Sequence, residues 1–87
     1  NILEIDKLFH TFENIARKNN ISELLIAKIK GLSIMRGLDI QSRTTDDFRV
    51  TELKNFLKKY QQNILLQVDK SPNLIYVWTI LKKLKIF

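Results

Sequence analysis

His10 is the single histidine of the chain and stands three residues before Glu13, a spacing at which an imidazole and a carboxylate occupy neighbouring positions on a helix. General acid–base chemistry needs a nucleophile or a second partner converging on such a group, and the sequence offers none. Asp46 and Asp47 are adjacent. On a helix they splay to different sides, so they do not form a paired-carboxylate site; they suit the first turn of a helix, whose dipole favours acids there. Neither a phosphate-cradling glycine loop nor a metal-ligand spacing is present, and the chain has no cysteine. The expectation is a protein that is not an enzyme, with no catalytic residue, cofactor or metal.

The remaining chemistry is that of lysine. Residues 1–53 carry eight basic and eight acidic side chains, whereas residues 54–87 carry seven lysines against Asp69 alone, so the whole net charge of +6 lies toward the C-terminus. Lys54 and Lys58 stand one helical turn apart with Asn55 and Lys59 beside them, a ridge of donors able to track phosphates. Lys82, Lys83 and Lys85 add a second group. The plainer account of all six is a solvated surface, with the last three stabilising a helix C-terminus. Phe56 and Tyr60 interrupt the first group in sequence, but helical spacing returns both to an apolar stripe, so they form no stacking platform for bases.

These residues must be positioned by helices. Ile5, Leu8, Phe9, Phe12, Ile15 and Ala16 recur at steps of three and four, which predicts an amphipathic helix over about 2–18. Asn20 with Glu23 predicts a capping box opening a second helix from Ile21, with Leu24, Leu25, Ile29 and Leu32 inward. That helix is expected to fray between Gly31 and Gly37, making "GLDIQSR" the main loop. Ala27 followed by Gly31-Leu32-Ser33 resembles the turn of a helix-turn-helix, but Arg36-Gly37 falls where a recognition helix would have to begin. Thr44 with Asp47 predicts a cap for a third helix over about 45–67, held together by Val50, Leu53, Leu57, Tyr60, Ile64 and Val68.

"KSPNLIYVWTILKKLKIF" at 70–87 admits two structures. Ile, Tyr, Val, Trp and Thr in succession favour a strand, paired with "NILLQV" in a hairpin like the wing of a winged helix. Against it, Ser71 at an N-cap with Pro72 at the first helical position is a helix-start signal, and Leu74, Val77, Trp78, Leu81 and Leu84 keep helical steps. A helix from about Pro72 is expected, with Leu74, Trp78 and Leu81 in the core.

The fold expected is therefore all-α, a small four-helix bundle or orthogonal array; the lesser alternative is a helical domain with a C-terminal β-hairpin. With 87 residues, 45% hydrophobic and only two glycines and one proline, the chain suits one folded domain over 1–87 and not a disordered segment. Asn1 at one end and the apolar Ile86 and Phe87 at the other suggest a piece of a larger protein. No apolar run approaches the roughly 20 residues of a membrane span, and membrane contact is not expected. The last helix is apolar nearly all round, so one side should meet a protein partner or a second copy, with Ile75, Ile86 and Phe87 at that interface. The alternative is a nucleic-acid interface built from Lys54, Lys58, Lys59, Lys82, Lys83 and Lys85. The setting expected is intracellular, and nuclear under the nucleic-acid reading.

Overall fold

The computed structural model describes residues 4–44, 50–66 and 75–86, with side chains over 4–41, 51–66 and 77–86. The fold is all-α: helices α1 (Ile5–Lys18), α2 (Glu23–Thr44), α3 (Val50–Lys59), α4 (Gln61–Leu65) and α5 (Ile75–Lys83), with no strand among the described residues. The hairpin alternative is thereby overturned, since 61–65 and 75–83 are both helical. Ser71, Pro72 and Leu74, which carry the expected start of the last helix, lie outside the described residues.

α1 buries Phe9 and Ala16 and ends in a Schellman motif. Asn20 takes the left-handed conformation at φ 60°, its N–H donates to Arg17 O at 3.1 Å, and the Ile21 N–H donates to Ala16 O at 3.0 Å. Asn20 is thus the terminator of α1 and not the cap of α2. Ser22 takes the capping role, with its Oγ accepting the Leu25 N–H at 3.2 Å. Glu23 turns instead to Arg17, which donates to both of its oxygens at 2.8 and 3.1 Å.

α2 is the largest departure from expectation. It runs unbroken for 22 residues, about 33 Å at 1.5 Å per residue, through both glycines and the whole of the segment predicted as the main loop. Gly31 is buried where α2 crosses α4: a Cβ there would stand 2.0 Å from Asn63 O and 2.6 Å from the Asn63 carbonyl carbon. The missing side chain lets two backbones meet, which offsets the roughly 1 kcal/mol that glycine costs inside a helix. Asn63 fixes the crossing by donating from Nδ2 to Ala27 O at 3.1 Å. Gly31 is therefore a packing glycine and belongs to no helix-turn-helix. The inward face is also different, because Ile26, Ile34, Met35 and Leu38 are buried while Leu24, Leu25 and Ile29 are exposed.

The expected third helix is two. Tyr60 departs from helical geometry at φ −104°, ψ 18°, separating α3 from α4 while keeping Leu53, Phe56, Leu57, Tyr60 and Ile64 in one core. Thr44, expected to cap the third helix, is the last residue of α2. Asp46, Asp47 and Val68 lie outside the described residues, and Val50 opens α3.

α5 contributes Val77 and Leu81 to the core, with Trp78, Ile80 and Leu84 packed partly against it. A second Schellman motif ends it: Lys85 is left-handed at φ 58°, its N–H donates to Lys82 O, and the Ile86 N–H donates to Leu81 O, both at 3.0 Å. The left-handed region strains a lysine by about 1–2 kcal/mol, because Cβ crowds the following carbonyl. Lys85→Gly is accordingly expected to stabilise the chain by about 0.5–1 kcal/mol, the greater freedom of unfolded glycine cancelling part of the relief. A raised thermal midpoint is the sign to look for; a lowered one would mean that Lys85 makes compensating contacts through its side chain.

Candidate protein interface and basic end

Of the six lysines singled out, Lys54 is half-buried and Lys58, Lys59, Lys82, Lys83 and Lys85 are exposed. Two groups of them approach each other. Gln61 donates from Nε2 to Ile86 O at 2.9 Å, so the turn after α5 lies beside the start of α4, and Lys58 is one turn before Gln61. The C-terminal end of α5, which carries Lys82, Lys83 and Lys85, thus lies beside the junction of α3 and α4, which Lys58 shortly precedes in the chain. Lys59 is directed elsewhere, toward Asp6 at 3.2 and 3.4 Å and over the Tyr60 ring at 5.3 Å.

That contact belongs to a polar and aromatic seam which the sequence reading missed. Along one edge of α1, Asp6 and Glu13 are seven residues apart, two turns, and both reach across to other helices. Asp6 accepts a hydrogen bond from the Tyr60 hydroxyl. Glu13 accepts from Lys30 and, at 3.3 Å, from Arg17. Between them Phe9 meets Tyr60 edge to face at 5.4 Å, and Lys30 Nζ stands 5.5 Å from the centroids of both rings. Glu13 is thereby engaged by two cations, while His10 is exposed on the helix. Among the described residues no group of three or more His, Asp or Glu side chains is placed to hold a metal ion.

The seam makes folding depend on pH at both extremes. The hydrogen bond from Tyr60, aided by Lys59, holds the Asp6 carboxyl below its ordinary range, and Lys30 does the same for Glu13. Both carboxyls bind protons more weakly folded than unfolded. Their contribution is present above the unfolded values near pH ~4 and lost as pH falls through the folded ones. Burial first, and the hydrogen bond to Asp6 second, push the Tyr60 hydroxyl upward, so its contribution is present below about pH 10 and declines as pH rises beyond that. Unfolding midpoints should fall on both sides of neutrality. In Tyr60→Phe the alkaline decline should vanish and the acid one shrink; an unchanged alkaline limb would assign it to other groups.

The residues expected at a protein interface divide differently. Ile86 is 3% exposed and packs in the core, because the left-handed Lys85 folds the chain back over Leu81. This corrects its assignment to an interface. The side chains of Ile75 and Phe87 lie outside the described residues. Exposed apolar surface is found instead on α1 and α2. Leu25, Ile29 and Ile40 are 46%, 37% and 62% exposed, and Leu8 and Ile15 are 67% and 57% exposed.

At 3.6 residues per turn, Leu25, Ile29, Leu32, Arg36 and Ile40 fall within an arc of about 80° on the side of α2 opposite Gly31, Ile34 and Leu38. α2 is therefore apolar on two faces, one in the core and one outward. On α1, Leu8 and Ile15 occupy the edge opposite Asp6 and Glu13, away from Tyr60. A stripe of this length on a small domain is more than scattered surface leucines. The outward faces of α1 and α2 are the candidate interface. No protein-family model matches this chain, and no curated protein or solved structure is found similar to it.

Proposed function

We propose that this chain is a non-enzymatic helical interaction module of an intracellular protein, which holds a protein partner on the outward face of α2 and the adjoining edge of α1. The observation that carries the reading is the second apolar stripe of α2. Leu25, Ile29 and Ile40 are exposed on a helix whose other side already fills the core, and burying such surface on a partner returns about 25 cal/mol for each Å² removed from water. Capture from cell extract by the purified chain, compared with Ile29→Asp and Ile40→Asp, tests it. Both substitutions lie on the exposed stripe, so helicity should be retained while specific capture is lost. Retention of the same captured proteins by both variants would overturn the reading.

A second reading is nucleic-acid binding. It draws support from the Gln61–Ile86 hydrogen bond that sets Lys58 beside the end of α5. Lys54→Glu with Lys58→Glu should then abolish most affinity with a stability change of no more than about 0.5 kcal/mol at the exposed Lys58. Titration with duplex and single-stranded nucleic acid in low salt decides, since phosphate binding weakens steeply as salt rises. Membrane spanning draws no support, as no helix among the described residues is long and apolar enough to cross a bilayer.

A further inference from the structure

We infer that the partner held on the outward face of α2 is a second copy of this chain, with the two α2 helices packed antiparallel about a two-fold axis beside Leu32 and Ser33. The inference rests on the docking face proposed above and names its occupant. The stripe has nearly the same spacing from either end: Leu25, Ile29, then Leu32 and Ser33, then Arg36 and Ile40. Reversing α2 about the point between Leu32 and Ser33 exchanges Leu25 with Ile40 and Ile29 with Arg36. An antiparallel copy therefore sets Leu25 against Ile40 twice, with Leu32 close to its own equivalent at the axis. Arg36 lays its aliphatic stem on Ile29 of the second copy and carries its guanidinium to the rim.

Charge points the same way. Lys28 and Asp39 lie on one flank of the stripe, eleven residues and about 16 Å apart along the helix. With the two-fold axis in the interface plane, that flank of one helix lies beside the same flank of the other, running in reverse. Lys28 then falls within about 3 Å, along the axis, of Asp39 in the second copy. Two symmetric opposite-charge pairs result, whereas a two-fold parallel pair would put the equivalent flanks on opposite sides of the interface and form neither pair. The antiparallel arrangement also opposes the two helix dipoles. A two-fold isologous contact is the commonest way for a chain to cover its own apolar surface.

The test uses the purified 87-residue chain in sedimentation equilibrium over a concentration series. A dimer is expected. Lys28→Asp and Asp39→Lys should each raise its dissociation constant at least tenfold, and the two together should restore it to within about threefold of the parent. Both side chains also interact within their own chain, so circular dichroism of each single variant accompanies the comparison, and the rescue by the double variant is the decisive reading. The chain has no cysteine, so Leu32→Cys should form a disulfide-linked dimer under mild oxidation while Ser22→Cys, far from the axis, should not. A monomeric parent whose Ile29→Asp variant still loses its captured protein would overturn the second copy and leave the docking face standing. If the parent is monomeric and that variant captures the same proteins, both fall. A dimer indifferent to Lys28, Asp39 and Leu32 would place self-association on another surface and overturn the inference.

Discussion

Gly31→Ala should destabilise the chain by about 3 kcal/mol, at or beyond the upper end for overpacking a core. Two effects oppose each other. Alanine favours the helix over glycine by about 1 kcal/mol, so on an open helix surface the change would be stabilising. Here the new Cβ would stand 2.0 Å from Asn63 O, 2.6 Å from the Asn63 carbonyl carbon and 3.2 Å from Ile64 N. All three are backbone atoms, which move only if α4 moves as a whole. α4 is a five-residue helix whose Ile64 is fully buried. Displacing it far enough opens space around Ile64 and lengthens the 3.1 Å hydrogen bond from Asn63 to Ala27 O. Steric exclusion outweighs helix propensity. Since a domain of 87 residues has on the order of 4–13 kcal/mol of total stability, the loss should be plain in the urea midpoint. A variant as stable as the parent would show that α2 and α4 do not touch at Gly31.

The same glycine explains where sequence reasoning failed. Gly31 and Gly37 within seven residues carry the composition of a helix end, and propensity alone predicts fraying there. What keeps the helix continuous is a tertiary contact with residues 63 and 64, more than 30 positions away, which no local window contains. The inward face of α2 failed for a related reason. Periodicity identifies an apolar face by contrast with a polar one, and α2 has apolar residues on both sides. Leu24, Leu25, Ile29 and Leu32 satisfy the helical steps as well as Ile26, Ile34 and Leu38 do. Only the approach of α4 at Gly31 decides which set turns inward.

Helices whose apolar residues keep steps of three and four with no internal glycine were legible. α1 and α5 were anticipated from spacing, as was the core role of Leu53, Leu57, Tyr60 and Ile64. The charged seam was not, because Asp6 and Tyr60 are 54 residues apart. One signal was available: Asp6 and Glu13 share an edge of α1 with the buried Phe9, and acids bordering an apolar stripe at a two-turn interval look for donors on the neighbouring helices. The interface was sought on α5 because that segment is the most apolar in the chain. The Schellman turn at Lys85 removes the argument, since it converts Ile86 from a trailing residue into the hydrophobic lid of the helix end.

Leu81→Ala should cost about 2–5 kcal/mol. Leu81 is fully buried, and its carbonyl accepts the Ile86 N–H that closes the turn, so its side chain lies where the residue after a left-handed cap meets the last turn of the helix. Truncation leaves a cavity in the core and removes the surface on which Ile86 rests, and the Gln61 hydrogen bond to Ile86 O depends on that same turn. Ile86→Asp should therefore behave like Leu81→Ala, exchanging a buried apolar side chain for an unpaired carboxylate that must recover its water by opening the turn. Leu65→Ala provides the contrast. Leu65 is among the exposed apolar residues, so its loss should shift stability by no more than about 0.5 kcal/mol. Urea unfolding of the three variants separates a core role for Ile86 from an interface role. An Ile86→Asp chain that keeps the parent midpoint but loses association would return the binding surface to α5.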